Sequence, residues 1–90
     1  MNLIEKKIWP EYFEKVLMGT KNFEVRLADF EIKEGDLILL REWNPKNKNY
    51  TGREIKKQVT YITNTKGMEK IHTKEELEKY GLVIIGMKSL

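Results

Sequence analysis

Hydrophobic and polar residues alternate along much of this chain, interrupted in two places by helical spacing. Leu3, Glu5 and Lys7 are set against Ile4, Lys6 and Ile8, an imperfect alternation that predicts a short first strand. Pro10 suits the first position of a helix and Gly19 the residue just past its end. Between them Tyr12, Phe13, Val16 and Leu17 form one apolar stripe on a helix of about nine residues. Phe23, Val25 and Leu27 then alternate with Glu24, Arg26 and Ala28, a strand with one polar face.

After turn chemistry at Glu34-Gly35-Asp36, the run Leu37 to Leu40 is continuously apolar. It predicts a strand buried on both faces that continues through Arg41-Glu42-Trp43. Asn44 to Asn49 is a polar, breaker-rich loop. Val59, Tyr61 and Thr63 alternate with Thr60 and Ile62 as a further strand, and the segment Asn64 to Lys70 reads as loop. Thr73 with Glu76 matches a capping box, so Glu75 to Tyr80 is expected to be a short helix stopping at Gly81. Leu82 to Met87 closes the chain as a buried strand. Short strands separated by turns, with one or two helices, predict an α+β fold: a single domain over residues 1–90, built as a small β-barrel or half-barrel.

Composition narrows the function more by exclusion than by suggestion. Ninety residues allow one thin core, and 40% hydrophobic with 34% charged residues is a globular mixture. No apolar run reaches the ~18 residues a membrane span needs. The first residues meet charge too early for a signal peptide, so a cytoplasmic protein is expected. The absence of cysteine removes disulfides, thiol catalysis and iron–sulfur clusters. One histidine, His72, excludes a multi-histidine metal site and reads as a surface residue, so no metal and no cofactor are expected. Seventeen basic against 14 acidic residues give a net charge of +3, a weak lean toward anionic partners.

The densest candidate chemistry is Gly19-Thr20-Lys21-Asn22-Phe23-Glu24-Val25-Arg26. Glu24 and Arg26, two apart on a strand, share a face. Lys21 stands at the strand's start, where the chain can still turn toward that face. Arg26 could fork onto a phosphate or a base edge, Lys21 supply a point charge, and Glu24 accept from an amino group. The spacing by itself favours the plainer reading, a salt bridge on a solvated sheet face. Trp9, Trp43 and the Tyr50-Thr51-Gly52-Arg53 stretch put aromatics near arginine, which suits base stacking, although a tryptophan more often covers a thin core. Lys46 and Lys48 read as solvated, and Lys56 and Lys57 point to opposite faces. Met18, Met68 and Met87 read as gap-fillers. No nucleophile elbow, phosphate loop or dinucleotide fingerprint is present.

The pattern Gly19-x-Lys21-x-x-Glu24-x-Arg26 resembles the signature of the ASCH superfamily, whose members have a PUA-like barrel. Lys7 to Phe13, Gly35 to Trp43, Tyr50 to Arg53 and Gly81 to Gly86 resemble a small phage and bacterial branch of it, catalogued as a domain of unknown function. The resemblance spans nearly the whole chain. It implies a small PUA-like barrel with one or two short helices and a cleft between barrel and helix, lined by the Lys/Glu/Arg signature. It further implies binding of RNA, nucleotides or nucleosides at that signature; with the aromatics and the arginine singled out above, the expected ligand-binding set is Lys21, Glu24, Arg26, Trp9, Tyr50 and Arg53. Some relatives look like small enzymes, amidohydrolases on acylated cytidine or ribonucleases, for which Lys21 and Glu24 are the catalytic candidates here. The amidohydrolase type carries a threonine where this chain has Glu24, and its later carboxylate would fall to Glu75, Glu76 or Glu78. Asp29 agrees with the nearer branch. Phe30 stands where arginine is usual and Ile4 where histidine is usual, which reduces the basic surface. Three readings follow: a binding module, a small hydrolase, and a protein-interaction domain in which Lys21, Glu24 and Arg26 form an internal ion network.

Overall fold

The structure is a computed structural model that describes residues 2–64 and 73–90. The expected loop after Asn64, Met68 and His72 lie outside the described residues. In chain order the elements are β1 (Leu3–Ile8), α1 (Pro10–Leu17), β2 (Phe23–Leu27), β3 (Leu37–Asn44), β4 (Asn49–Asn64), α2 (Lys74–Lys79) and β5 (Leu82–Lys88). The five strands form one sheet in the order β1-β3-β4-β5-β2. β1 runs parallel to β3, and the other three pairings are antiparallel. The result is a small α+β fold, a curled half-barrel sheet with two short helices.

β1 and β2, consecutive around α1, are therefore the two edges of the sheet. The curl brings these edges near one another, and no strand ladder joins them. A half-barrel with a seam is formed in place of a closed barrel. Across the seam Arg26 donates from Nη2 to the backbone oxygen of Lys7 at 2.5 Å.

The core is built on one face of this sheet. Ile8, Ile38, Leu40, Val59, Val83, Ile85 and Met87 are buried there, and α1 presses Phe13 and Val16 against them. The helix starts as its sequence implies. Trp9 is extended at the N-cap, Pro10 occupies the first turn, Glu11 and Lys15 lie at the ends that complement the helix dipole, and Gly19 turns away at φ 82°. Of the apolar stripe only Phe13 and Val16 are buried. Tyr12 and Leu17 stay half exposed, because the narrow sheet cannot cover a wider stripe.

The same one-sidedness corrects the reading of Leu37 to Leu40. Ile38 and Leu40 are fully buried, whereas Leu37 and Leu39 are only partly so, because no element is stacked on the outer face. Leu82 to Met87 alternates likewise, with Val83, Ile85 and Met87 inward. β4 is much longer than the alternation at Val59 to Thr63 suggests, and that alternation is broken by a bulge. Val59 pairs with Met87 and Tyr61 with Gly86, leaving Thr60 over. Val59 therefore points inward while Tyr61 is 63% exposed. Thr73 caps α2 as expected, accepting from the Glu76 N–H at 3.3 Å and donating to its carboxylate at 2.6 Å. Lys56 and Lys57 do face opposite ways. Lys57 is buried, its ammonium on the Ser89 hydroxyl at 3.1 Å.

Candidate functional site

The site begins where α1 ends. Gly19 reverses the chain, and the Lys21 N–H returns to the Lys15 carbonyl at 3.0 Å. That fixes the entry to β2, where strand parity sends Glu24 and Arg26 to the inner face. Glu24 is only 3% exposed. Its Oε2 accepts from Arg26 Nε at 2.9 Å and Nη2 at 2.8 Å, and its Oε1 accepts from Lys21, whose ammonium also reaches the Phe23 carbonyl at 2.6 Å. The expected salt bridge on a solvated face is therefore an inward one. The polar face of β2 is the buried face, and its apolar residues Phe23 and Val25 are about half exposed. A buried carboxylate costs less free energy when ion pairs and hydrogen bonds meet both of its oxygens. Lys21 and Arg26 supply them here.

This triad forms one wall of a cavity of about 610 Å³ between the end of β1, the start of α1 and β2. That volume falls within the range of roughly 300–1,000 Å³ usual for small-ligand clefts. Four of the candidate residues, Lys21, Glu24, Arg26 and Trp9, line it. Trp43, one of the aromatics weighed for stacking, lines it as well, together with Lys7, Tyr12 and Phe23, which no sequence pattern marked as site residues. Trp9, Tyr12 and Phe23 each leave about half of their surface exposed. Three cations, Lys7, Lys21 and Arg26, stand against one carboxylate. The wall thus keeps a surplus of donors after Glu24 is satisfied, which suits an anionic or acceptor-rich ligand with a flat apolar part.

Tyr50 and Arg53 are not cavity residues. Tyr50 meets Trp43 edge-on, with centroids 5.0 Å apart and planes at 77°. It therefore lies behind one cavity aromatic on the outer face. Arg53 belongs to a second buried carboxylate. A bulge sets one β3 residue, Glu42, opposite three on β4, Thr51, Gly52 and Arg53, and Gly52 takes φ 98° there. Glu42 accepts from Arg53 Nε at 2.9 Å and Nη2 at 2.8 Å and from the Thr51 hydroxyl at 2.6 Å. Arg53 also pairs with Glu14 of α1. The Arg53 guanidinium, with the Thr51 hydroxyl, holds the Glu42 carboxyl below the usual carboxylate range against the opposing push of burial. The same bonds, Glu42 first and then Glu14, raise Arg53.

Of the late carboxylates, Glu76 is engaged with Thr73 in the cap of α2, and Glu75 and Glu78 are exposed on that helix. None of the three lines the cavity. Phe30 packs against the core, and the Lys6 ammonium lies 3.7 Å above its ring. Among the described residues no group of three or more His, Cys, Asp or Glu could hold a metal, and no helix is long and apolar enough to cross a membrane.

Three comparisons with known proteins bear on this arrangement. The family described as "Domain of unknown function (DUF3850)" matches residues 4–86. The "Uncharacterized 12.9 kDa protein in GpA 3'region" of Escherichia phage P2 is 36% identical over 59 residues, 66% of this chain and 52% of that protein. The chain thus spans about half the length of this curated relative. The crystal structure of hypothetical protein PH0355 superposes with a TM-score of 0.71 at 23% identity, covering 100% of both chains. That likeness is one of fold.

Proposed function

The chain belongs to the family described as domain of unknown function DUF3850, and we propose that its cavity is a binding site for a nucleotide or nucleoside unit in a PUA-like, ASCH-type half-barrel. The observation that carries this reading is the pairing of wall types in one cavity. Half-exposed Trp9 and Tyr12 offer a stacking surface, and the Lys21–Glu24–Arg26 triad offers directed polar groups. Arg26 has donors on Nη1 beyond those given to Glu24 and Lys7, and Lys21 has a third proton. They suit a phosphate or a base carbonyl. The second lone pairs of Glu24 suit an exocyclic amine.

Binding is favoured over hydrolysis by the geometry of the triad. Both oxygens of Glu24 already accept from cations, and the Lys21 ammonium already donates to Glu24 and to the Phe23 carbonyl, so neither group is left free to activate a water.

The test is an NMR titration of the full chain with nucleosides, nucleoside monophosphates, N4-acetylcytidine and short single-stranded RNA. Shifts centred on Trp9, Lys21, Glu24 and Arg26 are expected. Lys21→Ala and Arg26→Ala, each confirmed as folded, should weaken binding about tenfold, the loss of roughly one charge-assisted hydrogen bond. Product signals during the titration would establish the hydrolase. Silence at these residues with every ligand would overturn the site.

A further inference from the structure

Lys7 and Trp43 belong to the cavity and, at the same time, to a stack that leaves it. The Lys7 ammonium lies 3.8 Å above the Trp43 ring and 5.8 Å from the centre of Tyr50. Tyr50 abuts Trp43, and the Arg41 guanidinium lies 3.8 Å over the other ring of this pair, Tyr50. The four side chains form a continuous shelf on the outer face of β1, β3 and β4. The shelf starts at the cavity rim, with Arg41 beside Lys7, and its Trp43–Tyr50 pair adjoins the β3–β4 turn, where Lys46 and Lys48 are exposed. Arg41 is paired with Glu5 at 3.1 Å and Glu54 at 3.6 Å. Among the described residues Lys7, Lys46 and Lys48 have no carboxylate within 4.0 Å.

We infer that this shelf is a second nucleotide subsite, so that the ligand is a single-stranded nucleic acid rather than a free nucleotide. The inference rests on the nucleotide reading of the cavity. One unit occupies the cavity, and the next stacks its base on the Arg41 guanidinium, whose other side is backed by Tyr50. The strand's phosphates pass Lys7 and continue toward Lys46 and Lys48. Flat cation and ring surfaces in sequence bind successive bases with little regard to their identity. The bare lysines supply the charge that a chain of phosphates requires. A mononucleotide could fill the cavity alone and would leave the shelf unused.

The experiment compares affinities of the full chain for the four nucleoside 5′-monophosphates, for mixed-sequence RNA and DNA hexamers, and for hexaglutamate. The better hexamer should bind at least about fivefold tighter than the best monophosphate, the low end of ~1 kcal/mol per stacked base. Tyr50→Ala, which takes away the backing of Arg41, should remove most of that advantage. Lys46→Glu with Lys48→Glu, both on exposed turn positions, should remove it too and leave monophosphate binding unchanged, since neither residue lines the cavity or touches a packed ring. Preference for RNA or for DNA then identifies the strand. Equal affinity for hexamer and monophosphate overturns the shelf and leaves the cavity reading standing. Equal binding of hexaglutamate overturns it as well, in favour of an acidic peptide. Absence of binding to any nucleotide ligand removes the cavity reading and this inference with it.

Discussion

The Arg26 guanidinium on β2 donates to the Lys7 backbone carbonyl on β1, so one side chain ties together the two edges of the sheet. The same guanidinium holds Glu24 through Nε and Nη2. A planar fork can satisfy a carboxylate and a carbonyl at once, whereas an ammonium on a flexible stem serves them as a point charge. Seam and cavity wall are thus one construction.

Arg26→Lys is expected to keep the charge and lose the bridge. The stability cost should be about 1 kcal/mol, that of a charge-assisted hydrogen bond at a partly exposed site. Amide exchange in β2 should quicken by more than the global change accounts for. Exchange unchanged in β2 would mean that the seam is held by packing alone.

Glu24→Gln leaves Lys21 and Arg26 facing a neutral amide. Loss of one partner from a buried pair costs about 3–5 kcal/mol when all groups are buried. Lys21 and Arg26 are 19% and 25% exposed, so water recovers part of their solvation, and about 2 kcal/mol is expected. Urea denaturation at neutral pH measures it. A change below about 0.5 kcal/mol, the size of an ordinary surface substitution, would count against a buried network.

Gly86 lies beside the β4 bulge. A Cβ there would stand 2.7 Å from Thr60 Oγ1 and 3.5 Å from the Tyr61 carbonyl. Gly86→Ala should therefore destabilise by about 1–2 kcal/mol, the usual cost of overpacking. Thr60→Ala in the same chain should recover most of the loss, and Thr60→Ser, which keeps the oxygen, should not. Equal behaviour of the two double variants would place the strain elsewhere.

Acid should unfold the protein through Asp36 and Glu42. The Asn2 and Lys33 N–H groups bind Asp36 at 3.0 and 2.8 Å and hold its carboxyl below the usual range. Arg53 does the same for Glu42. A carboxyl whose folded pKa is lowered adds stability that is full above its unfolded value, about 4, and is lost as pH falls through the folded one. The urea midpoint should stay flat from about pH 7 to 5 and fall below about pH 4. Asp36→Asn with Glu42→Gln should make that fall shallower. Arg53→Ala should raise the Glu42 pKa while leaving nucleotide affinity intact, since Arg53 is off the cavity. An acid limb identical to that of the unaltered chain would rule out these two groups as its source.

Much of the site was legible because it is local. Gly19, Lys21, Glu24 and Arg26 lie within eight residues, and a turn followed by strand parity suffices to gather them. Trp9 is nearby at the helix start. Lys7 and Tyr12 were not readable as cavity residues, because nothing local says that the end of β1 faces β2. Arg53 misled for the same reason. Beside Tyr50 it resembles a stacking pair, but its guanidinium is drawn to Glu42 by a bulge that only the β3–β4 register creates.

The sequence alone determined the two helices and the two edge strands, but not the length of β4. Pro10 and Gly19 bounded α1, Thr73 and Gly81 bounded α2, and period-two alternation marked β1 and β2 to their ends. These are short-range effects of backbone sterics, capping and side-chain periodicity. Only the tertiary structure decided which face of each strand is inside. The apolar face of β2 is turned outward because Lys21 and Arg26 neutralise Glu24 and make the polar face the one that can be buried. The runs at Leu37 and Leu82 have one covered face because α1 packs on one side only. Face, register and seam depend on partners distant in the chain, and strand pattern is indifferent to them until those partners meet.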